Sequence, residues 1–268
     1  MERKMINVRH VRAVNLLSPT KIGGDFAINP YVGCPHKCIY CYAACINWSG
    51  AERDEAWGDY LDVKDQAHPI DPAKIFRKRI LFSSMTDAYN PYEEKAEVTR
   101  GILKQLIPAE VKITVITKSA LVVRDIDLFK RFPYVKVIFS FSSLDDGFRR
   151  KVEPYAASPE RKIAALMTLK GAGIATGVFV APTFPVISDP VAITHAVAPY
   201  VCRMTYDTLN LRRKNRDAVL GFIRREYPQL TELYDDIFLR GDKRYWIGLR
   251  KEIRAACLEE RVNCGVFF

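Results

Sequence analysis

The sequence is organised around residues 29–43, which read NPYVGCPHKCIYCYA. Cys34, Cys38 and Cys41 form a CxxxCxxC run directly after the apolar stretch 26–32, which predicts a β-strand. Thiolates so close in sequence can converge on one metal centre. Three of them, rather than four, would leave one iron of a [4Fe–4S] cluster without a protein ligand, and a small chelating molecule can bind there.

Other interpretations of this cysteine run are open at this point. A structural zinc site needs a fourth Cys or His ligand, which His36 or Cys45 would supply. Three free thiols without any metal are a second alternative. A disulfide framework is disfavoured, because 7 cysteines is an odd number and the first residues lack the apolar segment of a secretory signal.

The composition is that of an ordinary globular protein. The chain has 268 residues, of which 49% are hydrophobic and 27% charged, so it can bury a full core as one large domain or one domain with an extension. No apolar run approaches twenty residues, and we therefore expect no membrane span. A cluster held by thiolates suits a reducing compartment, so we expect a cytoplasmic protein.

The charge balance favours an anionic partner such as a nucleic acid. The formal net charge is +10, from 41 basic and 31 acidic residues. The excess concentrates near the predicted sixth strand, at Arg203, Arg212, Arg213, Lys214, Arg216, Arg224 and Arg225. Two interpretations are open: a solvated helix face, or a contact with nucleic-acid phosphates.

Short apolar segments alternate with segments of helical periodicity from residue 26 onward. Strands are predicted at 26–32, 79–84, 111–117, 135–142, 174–181 and 202–210, and helices at 93–106, 125–131, 159–172 and 190–200. This alternation predicts an α/β fold with a parallel sheet covered by helices, and six units suit a partial (β/α)6 TIM-like barrel. We divide the chain into an N-terminal cap (1–25), the barrel (26–210) and a helical C-terminal extension (211–268). Residues 49–76 are predicted to be a polar surface insertion.

Polar side chains follow every predicted strand. In βα-barrels the chemistry collects at the C-terminal ends of the strands, and a purely structural barrel would not need polar residues there. The strand ends carry the three cysteines, residues 83–91, residues 117–119, Ser140 and Ser142, Thr183, and Thr205 to Asn210. The sequence therefore predicts an active site at this edge of the sheet.

These stretches resemble the spore photoproduct lyase branch of the radical S-adenosylmethionine (radical SAM) superfamily. The resemblance covers residues 26–185 and rests on NPYVGCPHKCIYCYA, TDAYNPYEE followed by TRGIL, TKSALVVRDIDL, FSFSS, EPYAASPERKIAAL and VAPTFP. The NVRHV run and the compact length are also similar to the small radical SAM mobile-pair proteins of bacteria. The resemblance implies a radical SAM barrel, a [4Fe–4S] cluster with SAM as cofactors, and an external electron donor of the flavodoxin or ferredoxin type.

The resemblance also implies roles for individual residues. Cys34, Cys38 and Cys41 would bind the cluster, and Lys118 would neutralise the SAM carboxylate. Glu153 and Arg161 would pair across a turn, either to bind SAM or as a structural ion pair. The other expected SAM contacts are Tyr40 or Tyr42, Ser140, Ser142 and the backbone of Ala181.

The candidate catalytic residues Ser84, Asp87 and Tyr89 follow the second predicted strand. Asp87 either hydrogen-bonds within its own loop or faces the substrate. The lyases carry, at the position of Ser84, a cysteine that returns a hydrogen atom to the substrate radical, and a serine O–H bond is too strong for that task. The resemblance thus implies an enzyme that cleaves SAM reductively to a 5′-deoxyadenosyl radical and abstracts hydrogen from a substrate. The alternative is repair or modification of nucleic-acid lesions.

Overall fold

The computed structural model of the protein describes residues 6–46 and 55–268, apart from the side chains of Arg213 and Lys214. The strands are β1 (Asn7–Ala13), β2 (Leu17–Pro19), β3 (Phe26–Ile28), β4 (Tyr31–Val32), β5 (Tyr60–Gln66), β6 (Arg79–Phe82), β7 (Lys112–Thr117), β8 (Tyr134–Phe141), β9 (Ala175–Thr183), β10 (Arg203–Thr208) and β11 (Asn263–Phe267). The α-helices are α1 (Glu93–Ala96), α2 (Val98–Leu106), α3 (Ile126–Phe129), α4 (Asp146–Val152), α5 (Pro159–Gly171), α6 (Pro190–Val197), α7 (Arg213–Glu226), α8 (Thr231–Phe238) and α9 (Arg244–Glu259).

Eight of these strands form one open sheet in the order β11-β10-β9-β8-β7-β6-β3-β2. Every neighbouring pair is parallel except β2 with β3, which is antiparallel. The outer strands β2 and β11 do not pair with each other in the described part of the chain, so the sheet curves without closing. The predicted α/β fold with a partial TIM-like barrel is confirmed.

The two faces of the sheet differ in burial, as β8 illustrates. Val135, Val137 and Phe139 alternate along the strand and are fully or almost fully buried in the main core. Lys136 and Ile138 point to the other face and are only half-buried. Side chains alternate along a strand, so these two sets lie on opposite faces of the sheet. Helices cover the face with the buried set, and the other, concave face stays accessible. The ends of the parallel strands open onto this concave face.

Part of the predicted polar insertion 49–76 belongs to a second, smaller sheet of order β1-β5-β4. Its strand β5 packs Leu61 and Val63 against Tyr31, and all three side chains are buried. Gly33 has φ +85°, and a Cβ there would lie 2.4 Å from the carbonyl oxygen of Tyr60, so β5 presses on the start of the cysteine loop. A surface excursion is therefore the wrong description of residues 60–66, and residues 49–54 lie outside the described residues.

The stretch 211–268 is helical over α7, α8 and α9 but ends in a strand that its periodicity did not predict. Strand β11 pairs in parallel with β10, from Arg203 opposite Asn263 to Asp207 opposite Phe267. The C-terminal stretch thus contributes a strand to the main sheet. No helix in the described ranges is long and apolar enough to cross a membrane.

Candidate functional site

The three cysteines lie in the loop that follows β4, and their thiols approach one another. Burial raises the pKa of Cys34 to about 12, and it raises the pKa values of Cys38 and Cys41 as well. The Cys41 thiol contributes to the raised pKa of Cys34, and both contribute to that of Cys38. Backbone N–H groups of His36 and Asp87 donate to the Cys34 sulfur. The loop thus brings three thiols to one place and supplies N–H donors to sulfur.

This donor set fits an iron–sulfur cluster better than a single zinc ion. In a cluster each thiolate binds a different iron, whereas zinc draws four ligands around one ion. Within residues 6–46 and 55–268, no three His, Cys, Asp or Glu side chains are placed to share one metal ion. His36 Nδ1 lies 3.1 Å from the carbonyl oxygen of Tyr155, and His36 Nε2 lies 3.0 Å from Asp87 Oδ2. Neither nitrogen is therefore free to bind a metal.

Asp87 joins the cysteine loop to the end of β7. Its Oδ2 accepts hydrogen bonds from His36 Nε2 at 3.0 Å and from the Lys118 N–H at 2.8 Å. Its Oδ1 accepts from Thr117 Oγ1 at 2.8 Å and from the Tyr89 N–H at 2.9 Å. Burial would raise the pKa of Asp87, but hydrogen bonds from His36 and these backbone groups hold it below its usual value. Both oxygens of this 8% exposed side chain accept hydrogen bonds within the protein, so it ties the cysteine loop to the end of β7.

Removal of this carboxylate should destabilise the protein. Asp87→Ala leaves buried donors of His36, Thr117 and Lys118 without an acceptor, and we expect a loss of about 3 kcal/mol in the free energy of unfolding. Urea unfolding of the apoprotein measures it. Asp127→Ala, which breaks an ion pair of a largely exposed carboxylate, is the control and should cost far less. A loss below about 1 kcal/mol for Asp87→Ala would contradict the assignment.

Lys118 connects the ends of three neighbouring strands. Its Nζ donates to Ser140 Oγ at 2.8 Å, and Ser140 Oγ donates to the carbonyl oxygen of Ala181 at 2.9 Å. Burial opposes the charge of Lys118, but the carboxylates of Glu153 and Asp87 favour it, and the pKa of Lys118 is raised. Strand β9 has one extra residue opposite Asp207, a bulge of the kind that re-aims backbone groups beside active sites. The predicted residues Lys118, Ser140 and Ala181 are therefore brought together, with the lysine positively charged.

Glu153 pairs with Lys162 and not with Arg161, which corrects the predicted pair. Lys162 Nζ lies 3.5 Å from Glu153 Oε2, and the two side chains are 1% and 0% exposed. Arg161 points to solvent, because the buried face of α5 carries residues 162, 165, 166 and 169 at helical spacing. Glu153 Oε1 accepts a hydrogen bond from the Tyr40 hydroxyl. Glu153 thus holds the Tyr40 ring in place beside Lys118, whose Nζ lies 5.8 Å from the ring centroid.

Buried polar side chains gather near the ends of β8 and β9. The Ser142 hydroxyl and Lys162 Nζ, the latter 3.5 Å from Oε2, both stabilise the Glu153 carboxylate. Thr183 Oγ1, at the end of β9, has no hydrogen-bond partner among the described residues. Such atoms are rare in native proteins and call for a partner. SAM carries an ammonium group and ribose hydroxyls that can supply hydrogen bonds here. The unmet hydroxyl of Thr183 and the charged Lys118 therefore fit a SAM-binding site.

The remaining predicted residues divide between the site and the core. Tyr42 lies beside Ser84, since its hydroxyl donates to the Ser84 carbonyl oxygen. Ser84 Oγ accepts a hydrogen bond from Asn29 Nδ2 at 3.0 Å, which ties this loop to the residues before the cysteines. Tyr89 is not brought to the site: its ring is fully buried and its hydroxyl donates to Asp125 Oδ2 at 3.0 Å.

Sequence reasoning missed three residues that build this site. Asn29 accepts the Met85 N–H at 2.9 Å as well as binding Ser84, and His36 holds Asp87. Lys162 donates to the carbonyl oxygen of Ser140 at 2.9 Å. Its position on the apolar face of a helix was the available signal, because a lysine there needs a buried acceptor.

Comparison with known proteins gives matches at the level of family and fold. The family model described as "Radical SAM superfamily" matches residues 28–190. An uncharacterized protein of Methanocaldococcus jannaschii is 32% identical over 230 residues, covering 85% of this chain and 86% of its own. A spore photoproduct lyase complexed with dinucleoside spore photoproduct superposes with a TM-score of 0.68 at 15% identity, covering 97% of this chain and 81% of the lyase. A variant of such a lyase with bound AdoMet and dinucleoside spore photoproduct gives 0.64 at 16% identity, with the same two coverages of 97% and 81%.

Proposed function

The chain belongs to the radical SAM superfamily and is an enzyme, and from this premise we propose that it binds a [4Fe–4S] cluster on Cys34, Cys38 and Cys41. We further propose that SAM lies across the ends of β7, β8 and β9. The observation that carries the proposal is the hydrogen-bonded connection through Asp87, which fixes Lys118 relative to the three thiols. An external electron donor of the flavodoxin or ferredoxin type would reduce the cluster.

The cofactors supply the difficult chemistry, and the protein supplies binding and orientation. When bound, the reduced cluster would supply the electron for reductive cleavage of SAM, and the radical so generated would remove a hydrogen atom from the substrate. Lys118 would neutralise the SAM carboxylate, and Ser140 would keep the lysine in place. Tyr40, packed edge-on against Phe184 at 5.7 Å between ring centroids, would keep water from the cofactors.

The experiment that tests this function measures 5′-deoxyadenosine. Anaerobically reconstituted protein is incubated with SAM and dithionite, with and without candidate substrates, and the products are quantified by mass spectrometry. We expect slow formation without substrate and faster formation with the right one. Protein that carries the cluster and binds SAM, yet forms no 5′-deoxyadenosine, would contradict the proposal.

A second candidate is action on a nucleic acid, and the position of α7 favours it. The Asn215 side chain donates to the Tyr40 carbonyl oxygen at 2.9 Å, so the start of this helix lies on the cysteine loop. Arg212, just before the helix, is exposed. Burial raises the pKa of Tyr42, and the positive charge of Arg212 is close enough to offset part of that rise. By contrast, Arg224 and Arg225 pair with Asp235 and Glu226 at the far end of the helix. Among the described side chains, the charge beside the site is therefore that of Arg212, while Arg216 lies 3.9 Å from Asp217.

Changing Arg212, Arg213 and Lys214 together to alanine should flatten the salt dependence of nucleic-acid binding. Each lost phosphate contact lowers the slope of log affinity against log salt by about one unit. Fluorescence anisotropy of a labelled oligonucleotide across a KCl series measures the slope. The matched control is Arg224→Ala with Arg225→Ala, which removes charge from the other end of the helix. Equal slopes for wild type and triple variant, or no binding by wild type at low salt, would leave 212–216 a solvated face.

A further inference from the structure

Asp207 lies on the concave face of the sheet, near the end of β10. The neighbouring Tyr206 points the opposite way, because its hydroxyl is 2.6 Å from Thr194 Oγ1 on α6 and 3.4 Å from Cys257 Sγ on α9. Side chains alternate along a strand, and β10 keeps its register with β11 through this point, so Asp207 faces the accessible side. Its side chain is half-buried.

No role described above uses this carboxylate. Its Oδ1 accepts the Thr208 N–H at 2.8 Å, and no cation forms an ion pair with it in the described ranges. Burial raises the pKa of Asp207. The adjacent strand carries Ala181, and neighbouring strands lie about 4.8 Å apart. Asp207 thus stands beside the proposed SAM site, with one oxygen available to a further donor.

Phe267 is the register partner of Asp207 on β11, and it shares the concave face. Its side chain is 63% exposed, and its ring lies against Gly265, where a Cβ would be 3.0 Å from Phe267 Cε2 and 3.3 Å from Arg203 Nη2. The glycine therefore allows the ring to lie close to the strand. An aromatic residue and a carboxylate are thus register partners on the concave face, at the open edge of the sheet.

We propose that Asp207 and Phe267 form the substrate-binding wall of the reaction chamber and recognise a nucleobase, stacking it on the ring and accepting its N–H at the carboxylate. The inference rests on the proposed function, which makes this concave face the place of reaction. Aromatic side chains stack bases of any sequence, and carboxylates accept hydrogen bonds from exocyclic amino groups. The net charge of +10 and the nearby Arg203 disfavour a cationic peptide and favour a neutral ring on an anionic backbone.

A base must leave its stack to reach such a wall, as in other enzymes that act on single bases. Nucleoside 5′-monophosphates imitate a base in that state, and deoxyribose 5-phosphate is the same ligand without the base. We expect the reconstituted protein to bind dGMP, whose amino group or N1–H can donate to the available oxygen of Asp207, roughly tenfold more tightly than deoxyribose 5-phosphate.

The variants separate the two contacts. Asp207→Asn keeps an acceptor for the Thr208 N–H but loses the charge, and it should remove most of the preference for dGMP over dTMP, whose ring offers a single N–H. Phe267→Leu should weaken the binding of every nucleoside monophosphate by a similar factor, roughly five- to tenfold. Glu110→Gln is the control, because it removes a carboxylate of an exposed ion pair just before β7, at the other end of the sheet. It should change neither the preference for dGMP over dTMP nor the affinity for the monophosphates. Equilibrium dialysis provides the affinities, and iron content with thermal unfolding confirms that each variant is folded.

Three results would overturn the inference. The first is equal affinity of wild type for deoxyribose 5-phosphate and dGMP, and the second is an unchanged base preference in Asp207→Asn together with an unchanged affinity in Phe267→Leu. The third is that the variants weaken the binding of SAM alone. The last result would assign these residues to the cofactor. Formation of 5′-deoxyadenosine from SAM alone is measured on the same samples. If 5′-deoxyadenosine forms but the protein binds without any base preference, the inference fails and the proposed function stands. If no 5′-deoxyadenosine forms, the proposed function fails, while the binding data still decide the inference.

Discussion

Replacing Cys34, Cys38 and Cys41 together with alanine should remove the iron from the protein. Wild type prepared anaerobically should be brown and hold about four irons per chain, since three thiolates bind three irons of a [4Fe–4S] cluster and SAM binds the fourth. The triple variant should be colourless with almost no iron. Iron analysis and the visible absorption spectrum measure the change.

The other cysteines provide matched controls for this experiment. Cys202 is exposed and Cys45 lies at the end of the 3₁₀ helix Tyr42–Cys45, so Cys202→Ser and Cys45→Ser should retain nearly all the iron. A triple variant that still binds a full cluster would refute the ligand assignment. Iron loss in Cys45→Ser equal to that in the triple variant would show that a fourth thiolate takes part.

Lys118→Ala should weaken SAM binding by roughly tenfold or more, because removing one partner of a buried charge pair commonly costs a few kcal/mol. The cluster should remain, since Lys118 is not a ligand to it. Isothermal titration of SAM into protein with an oxidised cluster, which cannot cleave SAM, gives the affinity without turnover. Iron content measured on the same sample separates lost SAM contacts from lost cluster.

Two lysine variants sharpen this second experiment. Lys112→Ala removes an exposed lysine from the opposite end of the same strand and should leave SAM affinity unchanged. Lys118→Arg keeps the charge but replaces a compact ammonium with a planar fork, and it should restore only part of the affinity. Equal SAM affinity in wild type and Lys118→Ala would show that the lysine has another role.

The positions of the cysteine loop and of the parallel strands could be predicted because they follow from local patterns. Apolar runs separated by helical periods specify strands and helices, and closely spaced cysteines specify a loop. The predicted strand 26–32 failed in one respect, since Asn29 and Pro30 separate β3 in the main sheet from β4 in the small one. Both pieces have the same strand character, and only tertiary pairing distinguishes them.

Pairings between distant parts of the chain could not be predicted. Strand β5 lies in a polar stretch, and it becomes a strand by pairing with β1 and β4 on either side. Arg161 and Lys162 are adjacent cations in sequence, and the rotation of α5 alone decides that Lys162 reaches Glu153. Asp87 lies in a stretch predicted to be catalytic, and its hydrogen bond with His36, 51 residues away, could not be read from that local pattern. In each case the partner, and not the local pattern, determines the role.

The pairing of β11 with β10 has a consequence for biosynthesis. During translation one edge of β10 would remain unpaired while about fifty more residues are made, because its outer neighbour is β11 (Asn263–Phe267). Exposed edges of unfinished sheets attract other chains, and parallel pairings form slowly. Truncation before Asn263 would make this exposure permanent and would also remove Phe267 from the chamber. The pairing of β11 therefore covers the edge of β10 and places Phe267 on the wall that faces the substrate, while the outer edge of the sheet passes to β11 itself.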